Sequence, residues 1–179
     1  IADAAKDIVL RNMASQGTVC DFDFIEEDAA AIIVEELLES LSEEECFVPK
    51  ESISRSTAAE VLRIMNMLRS GSLKEKCEEE SVDPSRFQMM QKLIGLYEKE
   101  LEQKLVYDKN LLLMRALEII DEAPDLFSYL KTAVIGVLMP MELTYLERQF
   151  LHKVSANLST SDYVEITYQV PEESAKRSY

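Results

Sequence analysis

Tryptophan is absent, histidine occurs once (His152), and there are only four glycines and five prolines. The glycines stand at 17, 71, 95 and 136, so no G-x-x-x-x-G-K-[ST] phosphate loop can be assembled from them. Three cysteines, Cys20, Cys46 and Cys77, are widely spaced and form no C-x-x-C pair. With one histidine beside them, a zinc or iron–sulfur centre is not expected. A Ser/His/Asp or Cys/His triad has no partner motif either. Unpaired thiols fit a reducing, cytoplasmic setting. No apolar run of about 18 residues is present, so a soluble chain without membrane contact is expected. The first residue is Ile1 rather than methionine, and a longer parent protein is the expectation.

What the chain has in abundance is acid. Thirty-four acidic residues against 19 basic ones give a formal net charge of −15. Such a surface repels phosphate backbones, so little or no nucleic-acid binding is expected of the chain alone. Hydrophobic residues make up 47% of the sequence, enough for a packed core. Few glycines and prolines suit long helices.

Periodicity places those helices. Residues 4–14 predict a short helix that loosens at Gly17, and "TVCDFDF" predicts an extended segment. Asp23 and Glu26 have the spacing of a capping pair, followed by Ile25, Ala29, Ile32, Ile33, Leu37 and Leu41 as an apolar stripe. Thr57 and Glu60 form a T-x-x-E box ahead of Val61, Leu62, Met65 and Leu68, with Gly71 as a C-terminal cap. Asp83-Pro84 opens a helix to about Lys104, with Phe87, Met90, Leu93, Ile94, Tyr97 and Leu101 inward. "YDKNLLLMRALEIIDEA" is apolar nearly all round and should be central. "AVIGVLM" (133–139) and "YVEITYQV" (163–170) read as strands, flanking a helix with Leu143, Leu146, Phe150 and Val154 on one stripe. The expected class is therefore mainly α with a small C-terminal β-α-β unit whose strands run parallel. Residues 1–130 form the helical body, 131–170 the β-α-β unit and 171–179 a frayed tail.

Several residues have both a bland and a functional reading. Tyr97, Tyr107 and Tyr145 could stack on bases, but such tyrosines more often close a core. The methionines read as core filling before they read as a binding groove. Glu147, Arg148 and His152 are too loosely spaced for a catalytic set, and His152 reads as a surface residue.

Two stretches carry a family likeness. "YEKELEQKLVYDKNLLLMRAL" and "ELTYLERQFL" resemble the inactivated superfamily I helicase-like half of AddB-type (RexB-type) helicase–nuclease subunits, over about residues 56–156. In that family the first stretch reads "D-x-x-D-L-L-x-x-A-L" and the second "D/E-L-T-x-L-E-x-x-F-L". The resemblance implies a helical subdomain inserted in a helicase-like α/β fold. It also implies contacts with DNA and a partner subunit in the full-length protein, an ATP-dependent exonuclease subunit. An active superfamily I helicase ends its Walker B strand in "D-E-x-Q-D". Laid on this chain, those positions fall on Leu138, Met139, Met141 and Glu142, and only Glu142 keeps its charge. Leu111 likewise replaces the acid of the "D-L-L" motif. An apolar pair cannot hold Mg²⁺ or position water. The expected function is a non-catalytic helicase-like scaffold with no catalytic residue, no metal and no cofactor. The alternative is a self-contained helical module that binds another protein. In either case Mg-ATP titrated into the chain should give no saturable heat in calorimetry. Micromolar binding, or turnover that survives repurification, would contradict both.

Overall fold

A computed structural model describes residues 1–18, 22–71, 83–123 and 143–156. The chain is mainly helical with a small parallel two-stranded sheet. The helices are α1 (Ala2–Ser15), α2 (Glu27–Ser40), α3 (Arg55–Arg69), α4 (Pro84–Gln103), α5 (Lys109–Glu122) and α6 (Tyr145–Ala156). The strands are β1 (Asp23–Phe24) and β2 (Val106–Tyr107), paired in parallel with Asp23 opposite Val106 and Phe24 opposite Tyr107. Helix α5 is the central element, with α1 and α6 packed on it, while α2 packs on α3 and α4. Leu111, Leu112, Leu113, Ala116, Leu117, Ile119 and Ile120 are all buried, as the nearly encircling apolar pattern of this helix predicted.

The described parallel pair, β1 with β2, is a different one from the pair expected at 133–139 and 163–170. Residues 133–139 and 163–170 fall outside the described residues, and so do Leu138, Met139, Met141 and Glu142. Of the predicted β-α-β unit only its helix, α6, is described. Its stripe of Leu146, Phe150 and Val154 is buried as expected, and His152 is exposed. Among the described residues no helix is long and apolar enough to cross a membrane.

Helix ends are fixed by identifiable groups. Gly17 adopts φ +71°, and the N–H groups of Gly17 and Thr18 donate to the carbonyls of Ala14 and Met13, a Schellman cap. The N-cap of α3 is Ser54, which accepts from the Thr57 N–H, rather than the expected Thr57. Ser54 is extended and precedes the first helical residue, whereas Thr57 is already inside the turn. Glu60 pairs with Arg63 instead of reaching back. Asp23 lies in β1 and caps nothing; Glu26 is the N-cap of α2 and makes no side-chain capping bond. The C-terminus of α2 is closed by Lys50, whose Nζ donates to the carbonyls of Leu38 (2.9 Å), Glu39 (2.8 Å) and Leu41.

The buried face of α2 is rotated from its predicted stripe. Ala30, Ala31, Ile33, Val34 and Leu38 are buried, while Ala29 and Ile32 are exposed. The bulky residues suggested one seam, but α2 contacts both α3 and α4, and its alanines supply the second. Leu105, between α4 and β2, is a non-glycine residue in the left-handed region at φ 53°, and its side chain is exposed.

The join between α3 and α6 is close. Gly71 has φ +74°, and a Cβ there would lie 2.5 Å from Tyr145 Cδ1. Leu146 N–H donates to the Ser70 carbonyl at 3.1 Å beside it. Gly71→Ala therefore meets both backbone strain and a ring. Its unfolding free energy in urea should fall by at least about 1–2 kcal/mol, the cost of a left-handed non-glycine residue. An unchanged midpoint would mean that α6 is not seated as described.

Candidate functional site

An open groove of about 700 Å³ runs between the N-terminus of α2, the length of α3 and the N-terminus of α5. Glu27 and Asp28 contribute from α2, Arg63, Asn66, Met67 and Ser70 from α3, Lys109 and Asn110 from α5, and Thr144 from the start of α6. At its base it adjoins a cavity of about 140 Å³ that shares Glu27, Leu62, Asn66, Lys109 and Asn110 and is also lined by Tyr97 and Asp108.

Beneath the groove lies a buried charge network. The Arg69 side chain is only 2% exposed. Its Nε donates to Glu98 Oε1 at 2.8 Å, its two terminal nitrogens fork onto both oxygens of Asp108, and Nη1 also reaches Asn66 Oδ1 at 3.2 Å. Burial disfavours the charged guanidinium, but Asp108 and Glu98 more than offset this and hold its pKa above the usual value. Asp108 is also the N-cap of α5, accepting from the Leu111 N–H at 2.7 Å. The Tyr97 ring lies under the guanidinium, 5.3 Å from ring centroid to Arg69 Cζ. Its hydroxyl is buried beside Asp108 without a partner at hydrogen-bond geometry. Burial first, and the Asp108 carboxylate second, raise the tyrosine pKa, with Arg69 opposing. Asn110 Nδ2 donates to Asn66 Oδ1 at 3.2 Å, linking α5 to α3 at the groove floor.

A second polar contact seats α6. Thr144 N–H donates to Glu147 Oε2 at 2.8 Å and Glu147 N–H donates to Thr144 Oγ1 at 3.3 Å, a reciprocal capping box. Lys109 Nζ lies 2.6 Å from Glu147 Oε1. Burial of Glu147 raises its pKa, but Lys109 and Thr144 outweigh burial and hold it below the usual 4.5.

The residues singled out from sequence scatter. Tyr97 is in the core under Arg69, Tyr107 is buried against Phe22 with ring centroids 4.5 Å apart, and Tyr145 is exposed beside Gly71. Met65 and Met90 fill core. Arg148 and His152 are exposed, whereas their neighbour Glu147 is buried, so the three do not converge. Leu111 is buried at 3% exposure. Its N–H rather than its side chain has the polar role, and an acid there would be desolvated beside Asp108. The groove residues were missed. Thr144 and Glu147 had a readable T-x-x-E signal, and Asp108 stood in plain N-cap position. Nothing in the sequence marks Arg69 as buried. No group of three or more metal-ligating side chains occurs among the described residues. The groove offers hydrogen-bonding groups and carboxylates.

Arg69→Leu should lower unfolding free energy by roughly 3–5 kcal/mol, because Asp108 and Glu98 are left without their cation. Adding Glu98→Gln and Asp108→Asn should recover part of that loss in the same urea titration. An additive further loss would show that the three do not act as one unit. Glu147 supplies an acid-side dependence. In the unfolded chain its carboxyl takes up a proton at higher pH than in the folded chain. Its stabilisation is thus complete above 4.5, the usual value, and is lost as pH falls through the lowered folded value. Melting curves across that window should show a shallower acid loss for Glu147→Gln than for wild type.

No protein-family model, no curated protein and no solved structure matches this chain.

Proposed function

We propose that the chain is a non-catalytic, helicase-like scaffold region of a bacterial double-strand-break-repair helicase–nuclease subunit, serving contacts with a partner subunit and DNA in the full-length protein. The observation that supports this reading is the meeting of its two resembling stretches. "YEKELEQKLVYDKNLLLMRAL" supplies the end of α4 and most of α5, and "ELTYLERQFL" supplies the start of α6. They are joined by the Lys109–Glu147 ion pair and by the packing of α5 on α6. The threonine, leucine, glutamate and phenylalanine of the second stretch each have a structural task here: Thr144 and Glu147 cap, and Leu146 and Phe150 are buried. A motif of that kind suits a scaffold that keeps its architecture without hydrolysis.

A second reading, a self-contained helical module that binds another protein, is favoured by the open groove between α2, α3 and α5. One experiment separates them. The complete reading frame is tagged, expressed with its neighbouring frames and purified. ATP-dependent degradation of linear duplex DNA by the purified complex, weakened by Lys109→Glu, supports the helicase–nuclease reading. A complete frame that brings down no such activity overturns that reading and leaves the module.

A further inference from the structure

The groove floor presents two amides with one group each already used. Asn66 Oδ1 accepts from Arg69 and Asn110, and Asn110 Nδ2 donates to the Asn66 carbonyl oxygens. Among the described residues, Asn66 Nδ2 and Asn110 Oδ1 have no partner, and both residues line the groove. A free amide donor and a free amide acceptor in one groove match the C=O and N–H of a peptide group. Those groups are available only in an extended segment, since a helix uses them internally. The groove's volume of about 700 Å³ lies within the ~300–1,000 Å³ of ligand-sized clefts.

Charge selects among extended ligands. The groove's two cations are both taken, Lys109 by Glu147 at 2.6 Å and Arg63 by Glu60 at 2.5 Å. Glu27 and Asp28, from the first turn of α2, are exposed carboxylates without an ion pair among the described residues, although Arg55 reaches the Asp28 carbonyl and pairs with Glu35. In a chain of net charge −15 this end of the groove attracts cations and repels phosphate. We propose that the groove binds an extended peptide segment bearing a basic side chain. Its backbone lies on the Asn66 and Asn110 amides and its cation beside the carboxylates of the first turn of α2. The inference rests on reading the groove as a protein-binding site and makes it a contact for a partner polypeptide rather than for nucleic acid.

The probe is a labelled seven-residue peptide of alternating threonine and lysine with blocked ends, compared with its threonine–glutamate counterpart. Fluorescence anisotropy with the full 179-residue chain in about 0.15 M salt reads binding. The lysine peptide should bind saturably and the glutamate peptide should not. Glu27→Lys and Asn110→Ala should each weaken binding about tenfold. Glu122→Lys makes the same charge change at the far end of α5 and should alter affinity less than about twofold. Circular dichroism checks that each variant is folded. In NMR spectra of the wild type, the side-chain amide signals of Asn66 and Asn110 should move on titration. Three results overturn the proposal: no saturable binding of the lysine peptide, equal losses in Glu27→Lys and Glu122→Lys, or a single-stranded oligonucleotide shifting the same amide signals. None of them touches the nuclease assay of the parent frame, so failure here is distinguishable from failure of the helicase–nuclease reading.

Discussion

The buried Arg69 guanidinium is the constraint on which the rest of the arrangement depends. It stands in the last turn of α3, takes Glu98 from the C-terminal half of α4 and takes Asp108 from the joint between β2 and α5. Three successive helices are thus fixed by one planar, five-donor group. Replacing such a cation by an apolar side chain removes the register it imposes, because hydrophobic contact is non-directional while a forked guanidinium–carboxylate pair is not. Desolvation of these charges is costly, and good geometry is what offsets it. Asp108 meets part of that requirement by also capping α5, so the same carboxylate that receives Arg69 sets where the central helix begins.

Around that network the fold is defined more by its helix ends than by its helix faces. Ser54, Asp83, Asp108 and the Thr144–Glu147 pair close N-termini, and Gly17, Gly71 and Lys50 close C-termini. Several of these ends gather at one place. The starts of α2, α5 and α6 and the last turn of α3 all border the groove. Helix termini carry unsatisfied backbone groups and polar caps, so a groove built at them holds hydrogen-bonding groups beside the apolar surface of Ala59, Leu62 and Met67.

Much of this was legible from residues alone, and the exceptions have physical causes. The start of α4 followed from Asp83-Pro84, and the burial of α5 from an apolar pattern that nearly encircles it. The stripe of α2 was misplaced because alanines carry little weight in an apolar pattern yet permit close packing. The Asp23–Glu26 and Thr57–Glu60 spacings matched the capping rule without being caps, since the rule is blind to where the chain is extended. Strand pairing between β1 and β2 was unreadable, for two-residue strands carry no periodicity. Of the groove, the individual caps were readable. Its assembly was not, because it depends on Arg69 bringing α3, α4 and α5 together.

The short parallel pairing has a kinetic consequence. Asp23 and Val106 are neighbours in space, yet α2, α3 and α4 lie between them in the chain. Helices form by local contacts within about a microsecond, whereas this pairing requires closure of a long loop whose entropy cost grows with the logarithm of its length. Two residues per strand give little enthalpy to hold such a loop shut. The pairing therefore depends on the packing around it, the docking of α1 on α5 and the contact of Phe22 with Tyr107. In a chain emerging from the ribosome, α1 must wait for α5 to be synthesised before its apolar face is covered.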